Sequence, residues 1–254
     1  MYWKNNIVVL CVAITILSST QLSRAGDDPA ARETVERISH LLVAKSSIAT
    51  LTMRISNDKG KHDLSMKMWS AGGEDVLLRI VTPPAEANTA VLKIGNDVWY
   101  YLPKTNRTVK VPSAMTMNTW MGGDFTIDDL VKEPFLTRDY TIDTSFEGKR
   151  GGIAVYEYTL TPKPEAAVVW GKIVLQFRQA DGVPTWQGYY GEDGKLAREL
   201  TFSEYKTKSG KVIPTHLVMQ SADKAGAHTT IDYEDIAFNV PIDAGTFSLP
   251  NMNR

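Results

Sequence analysis

From Ser47 onward the apolar residues of this chain tend to recur at every second position, and no other feature restricts the fold as much. A period of two sends successive side chains to opposite faces of an extended strand. Leu51-Thr52-Met53-Arg54-Ile55-Ser56 alternates strictly, and so does Leu64-Ser65-Met66-Lys67-Met68. The Asn57-Asp58-Lys59-Gly60 stretch between them is turn chemistry, so the two runs are expected to pair as a hairpin. Strand-like runs follow over residues 76–81, 90–94, 98–102, 108–111, 140–146, 153–160, 172–178, 185–190, 196–205, 212–220 and 229–238. Their separators include Gly95-Asn96-Asp97, Asp181-Gly182 and Ser209-Gly210-Lys211. About a dozen short strands joined by such turns imply a mainly β protein built on one large antiparallel sheet, with one wet face and one buried face.

A sheet that wide curls, and its apolar face must be closed or covered. Two segments are available as covers. Residues 29–44 form the best helix: Asp27 or Asp28 caps it, Pro29 suits its first position, and Val35, Ile38, Leu41 and Leu42 share a face. A second, short helix is expected near residues 126–132, where Asp124, Asp128 and Asp129 suit a helix N-terminus better than a metal or acid cluster. No linker or strong repeat divides the rest, so residues 26–254 are expected to form one domain.

The first 25 residues have the layout of a cleavable export signal. Lys4 precedes an apolar run from Ile7 to Leu17, and Ser23-Arg24-Ala25 sets small residues before Gly26. That run is about half the roughly 20 residues a membrane span needs. Cleavage after Ala25 removes Cys11, the single cysteine, so the exported chain is expected to rely on its core without disulfides.

Charge and motifs narrow the function by exclusion. Taking Lys4 and Arg24 from the 28 basic side chains leaves 26 against 29 acidic ones, with no basic stripe for nucleic acid. His40, His62, His216 and His228 lack the spacing of metal pairs. There is no Gly-x-Ser-x-Gly elbow, and Gly122-Gly123 lacks the Lys and Ser or Thr of a phosphate loop. No enzyme, metal site or cofactor is expected.

Choosing the more apolar parity of each strand gives the inner face. Its members include Leu51, Met53, Ile55, Leu64, Met66, Met68, Leu78, Ile80 and Leu92, joined in mid-chain by Trp99, Tyr101, Trp120 and Phe125. The plainer reading of each is core. However, two short covers cannot fill so wide a face, and the surplus is expected to line a hydrophobic cavity formed by these residues.

Two stretches carry a family signature. The first contains Arg79-Ile80-Val81-Thr82-Pro83-Pro84, then Gly95-Asn96-Asp97-Val98-Trp99-Tyr100-Tyr101-Leu102-Pro103, then Trp120-Met121-Gly122-Gly123-Asp124-Phe125. The second contains Gly210-Lys211-Val212-Ile213-Pro214, Ile231-Asp232-Tyr233-Glu234-Asp235-Ile236 and Phe247-Ser248-Leu249-Pro250. Together they resemble the bacterial outer-membrane lipoprotein-sorting proteins, relatives of the LolA carrier. The resemblance implies an unclosed β-barrel of about eleven strands under short helices, working in the periplasm as a monomer. It implies that acyl chains of a lipid or lipoprotein occupy the cavity, with loading by an inner-membrane transporter of the ABC or RND type. An envelope sensor or exporter accessory built on the same scaffold is the alternative it leaves open.

Overall fold

Each of the thirteen strand-like runs becomes a strand, and all thirteen join one antiparallel sheet. The chain makes β1 (Ser46–Asn57), β2 (Gly60–Ala71), β3 (Asp75–Thr82), β4 (Ala90–Ile94), β5 (Asp97–Leu102) and β6 (Arg107–Val111) as a meander. A second meander comprises β7 (Tyr140–Arg150), β8 (Ile153–Pro162), β9 (Lys172–Arg178), β10 (Pro184–Tyr190), β11 (Leu196–Lys208), β12 (Lys211–Ser221) and β13 (His228–Phe238). The computed structural model describes residues 26–131 and 137–253, the side chains of Leu41 and Leu42 excepted. The expected signal segment 1–25, the apolar role of Leu41 and Leu42, and Lys132 of the expected second cover therefore lie outside the described residues.

β1 and β13 pair in the middle of the sheet and stitch the two meanders together, leaving β6 and β7 as its edges. The sheet is not closed. It has thirteen strands where the family resemblance implied about eleven, because every strand-like run pairs.

This topology forces the third structural element. The chain leaves the sheet at one edge, β6, and re-enters at the other, β7, so residues 112–139 must pass from edge to edge. The described part of the crossing packs on the inner face through Trp120, Phe125, Ile127 and Val131 and so covers it. Within the crossing lies α2 (Ile127–Val131), which contacts β3 and β4.

The leading helix α1 (Pro29–Leu42) starts as expected and ends two residues before the expected boundary at residue 44. The Asp28 carboxylate accepts from the Ala30 N–H at 3.0 Å and caps it. Ala31, Val35 and Ile38 are buried in the main core. The start of the helix is tied to β7 from both sides. The Asp28 N–H donates to the Ile142 carbonyl at 2.8 Å, and the Ile142 N–H donates to the Asp27 carboxylate at 3.0 Å. Arg32 adds hydrogen bonds to the carbonyls of Thr137 (2.9 Å) and Tyr140 (2.6 Å).

A smaller core forms on the outer face. Leu77, Ala90, Leu92, Tyr101 and Met252 are buried together there, with Trp69, Trp99 and Phe247 packed against them. The C-terminal tail covers this patch, and the Asn251 carbonyl accepts from Arg79 at 2.5 Å. Met252 is fully buried, so Met252→Ala should cost about 2–5 kcal/mol of folding stability, the usual range for emptying a buried methionine site. Urea unfolding of the variant checks this, with no change expected in the cavity described next.

Candidate functional site: a cavity under the crossing segment

Side chains directly opposite one another in a ladder lie on the same face, so the register sorts the inner face into rungs. One rung runs Leu64, Met53, Ile231, Leu217 and Phe202 across β2, β1, β13, β12 and β11. Another runs Met68, Leu78, Val91 and Tyr100 across β2 to β5.

The inner face is divided lengthwise into a filled end and a hollow end. At the filled end the crossing segment lies directly on the sheet. Its backbone turns tightly through Met121 and Gly122, both in the left-handed region, and the Gly123 N–H donates to the Trp120 carbonyl at 3.0 Å. A Cβ on Gly123 would stand 3.0 Å from Thr229 Oγ1 and 3.1 Å from Ile55 Cγ1, so no larger residue fits without displacing the strand side chains. Gly122-Gly123 is therefore a seated turn. Asp124 pins it: its carboxylate accepts from the hydroxyls of Ser221 (2.9 Å) and Thr229 (2.8 Å), and its N–H donates to Thr229 Oγ1 at 2.9 Å. These bonds satisfy a carboxylate that is almost wholly buried.

At the hollow end the covers stop short of the sheet and leave a cavity of about 820 Å³. Its walls come from the sheet (Leu51, Met68, Leu78, Leu217 and Tyr233 among others), from α2, and from the loop Ala167-Val168-Val169-Trp170 between β8 and β9. Val169 belongs to this wall and is also 56% exposed, which places it at the rim. The lining is predominantly apolar. Its charged members, among the described residues, are Asp128, Asp129, Asp139 and Arg198.

The thirteen residues expected to line a cavity fall into three groups. Leu51, Met68, Leu78 and Phe125 are on its wall. Met53, Ile55, Leu64, Met66, Ile80 and Trp120 face the same way, but they belong to the tightly packed core of the filled end. Leu92, Trp99 and Tyr101 are a correction, because they lie on the outer face with Leu77 and Met252. Here β4 is buried on both sides, so Ala90-Val91-Leu92-Lys93-Ile94 has no apolar parity to choose, and the inner positions are Val91, Val98 and Tyr100.

The expected site omitted Arg198, the apolar β8–β9 loop and most of the wall from β11 to β13. One signal was present in the strand pattern: Leu196, Arg198, Leu200 and Phe202 share a parity, and an arginine on an apolar parity is out of place unless something inside receives it. The receiver is Asp129 of α2. Arg198 Nη1 and Nη2 donate to its two oxygens at 2.7 and 2.8 Å, with both side chains nearly buried at 7% and 11% exposure. Asp129 also accepts from the Thr126 N–H (2.7 Å) and hydroxyl (2.8 Å), while its own N–H donates back to Thr126 Oγ1 at 3.1 Å, a reciprocal cap that starts α2. Burial works against the guanidinium charge, but Asp129 more than offsets it and the Arg198 pKa stands above its ordinary value.

Tyr140, at the base of the wall, has its hydroxyl pKa pushed up to about 12 by burial, with the Asp139 carboxylate adding to the shift. An unfolded tyrosine ionises near pH 10, so the folded chain holds this proton more tightly. The contribution to stability is whole below about pH 10 and is lost as pH climbs through about 12. Tyr140→Phe should flatten the fall in urea midpoint across that window.

This wide, open, helix-covered sheet is a fold shared with solved structures that include a LolA superfamily protein. Residues 72–254 match the sequence model of a family described as uncharacterized proteins, and the chain belongs to that family. Three solved structures share the architecture. A domain assigned by name to outer-membrane lipoprotein sorting, from Vibrio parahaemolyticus, is 22% identical with a TM-score of 0.79, covering 89% of this chain and 99% of that one. A DUF1329 family protein from Desulfovibrio piger is 19% identical with a TM-score of 0.82, over 89% and 99% of the two chains. A LolA superfamily protein from Nitrosomonas europaea is 20% identical with a TM-score of 0.73, over 87% and 98%. Identities this low establish a common fold. No curated protein matches the sequence.

Proposed function

We propose that this chain is a periplasmic carrier that shelters acyl chains of a lipid or lipoprotein in the cavity and moves them through the envelope. The cavity carries the reading: about 820 Å³ of mostly apolar space between the sheet and the segment that crosses from β6 to β7. That volume sits within the roughly 300–1,000 Å³ of ordinary small-molecule sites. Each methylene taken out of water is worth about 0.8 kcal/mol, so an acyl chain of about sixteen carbons resists an aqueous crossing by something on the order of 10 kcal/mol. An apolar trough offsets most of that barrier. Loading by an inner-membrane transporter of the ABC or RND type belongs to the same proposal, as does export through the segment 1–25. The fold is shared with a domain named for outer-membrane lipoprotein sorting and with a LolA superfamily protein, which supports a carrier over a catalyst.

Native mass spectrometry of the chain isolated from a periplasm, followed by extraction of the bound mass, tests the first half. An acyl-bearing adduct is the expected result, and a cavity that returns no lipid from any preparation defeats it. Movement of labelled lipid from donor to acceptor vesicles in the chain's presence tests the second half. Binding without transfer would reassign the protein to sensing.

A further inference from the structure

Arg198 sits on the cavity wall at an apolar-parity position of β11, and packing alone does not account for it. Its guanidinium lies over the rings of Tyr189 (4.2 Å) and Trp170 (4.8 Å), which fix its plane. Its Nη1 and Nη2 meet the two oxygens of one carboxylate, and its Nε is buried with no hydrogen-bond partner. A residue 94% buried that keeps one N–H unanswered makes a costly wall, and an apolar side chain of similar volume would serve stability at least as well. What the arrangement does supply is a rigid, two-pronged receptor shaped for a carboxylate, filled in this structure by the protein's own Asp129. Among the described residues that line the cavity, Arg198 is the sole basic one.

We propose that the cavity selects acyl ligands headed by a carboxylate, and that the ligand's carboxylate takes the place of Asp129 on Arg198. The proposal rests on the carrier reading and adds the chemical class of the cargo. Exchanging one carboxylate for another keeps the guanidinium paired, and the incoming carboxylate can also accept from the Nε–H that Asp129 leaves unanswered, which is the margin that separates an acid from a neutral head. A neutral head gains nothing from Arg198 unless it strands the guanidinium. Asp129 keeps the Thr126 N–H and hydroxyl as partners at the cap of α2, and the loss of its counter-ion is a cost that burial of the acyl chain must exceed. The exchange therefore cuts the ion-pair tie between α2 and β11 without unwinding α2. Asp128 and Asp139 on the same wall repel a second negative charge, which favours a carboxylate over a phosphate dianion.

The test compares fluorescent cis-parinaric acid with its methyl ester, titrated into the purified chain. Wild type should bind the acid at least about tenfold more tightly, the margin expected of a hydrogen-bonded charged pair. Asp129→Asn, which frees the guanidinium, should tighten the acid and leave the ester unchanged. Arg198→Met/Asp129→Asn removes both charges, so neither is stranded and the fold is spared; it should bind acid and ester alike at the wild-type ester affinity. Equal binding of acid and ester by wild type overturns this proposal alone. A preference for the acid that survives in the double variant overturns the assignment to Arg198. If wild type binds neither probe, the carrier reading falls and this inference falls with it.

Discussion

Arg198→Met, made with Asp129 left in place, should lower the folding stability by about 3–5 kcal/mol, the cost of leaving one member of a buried ion pair without its partner. The pair qualifies as buried on both sides, at 7% and 11% exposure. Adding Asp129→Asn should restore most of the loss, because the desolvated carboxylate disappears along with its need for a counter-ion. Chemical denaturation of the two single variants and the double variant forms a cycle whose coupling energy reads the interaction directly. A single variant with the wild-type urea midpoint would mean that water reaches the pair and that α2 is not fastened to β11 through it. The effect should resist salt, since a pair shielded by protein is screened far less than one on the surface. The exposed network on the outer face provides the contrast. There Arg54 pairs with Asp232 and Asp63 while remaining 49% exposed, and Arg54→Met should change stability by no more than about 1 kcal/mol.

Met68→Glu should weaken acyl-chain binding by about 100-fold while costing the empty protein only about 1–2 kcal/mol. Met68 is half-buried on the cavity wall, opposite Leu78 and Ala49. With the cavity empty a carboxylate there stays hydrated. A bound acyl chain would strip that water away, at a cost of several kcal/mol for an unpaired charge. Met53→Ala should do the reverse. Met53 is fully buried at the filled end, where truncation costs about 2–5 kcal/mol, and it does not touch the cavity, so binding should persist. Fluorescent fatty-acid titration beside urea unfolding separates the two variants. If Met68→Glu binds as well as wild type, the chain is accommodated elsewhere.

The two residues share a face and a residue type and sit in alternating runs on neighbouring strands, yet their expected behaviour is opposite. That contrast marks where the pattern of the chain stops being informative. Strand positions were legible because strand pattern and turn chemistry are local properties: each of the thirteen strand-like runs pairs, and the Asp28 cap with Pro29 starts α1 where expected. Face assignment was legible wherever one side is wet, as in β1 and β2, and failed at Leu92, Trp99 and Tyr101. There the C-terminal tail buries the second face and erases the alternation.

The chain's local periodicities and turn residues determined by themselves that it forms a broad antiparallel sheet with more apolar face than its helices can cover. Where that surplus stays hollow was decided by tertiary structure alone. Strand order obliges the β6-to-β7 crossing to run from edge to edge; on the inner face it seats Gly123 and Asp124 at one end and is tied to β11 at the other by the Asp129–Arg198 pair. Contacts between residues about 70 to 105 positions apart set that geometry, and no local period encodes them.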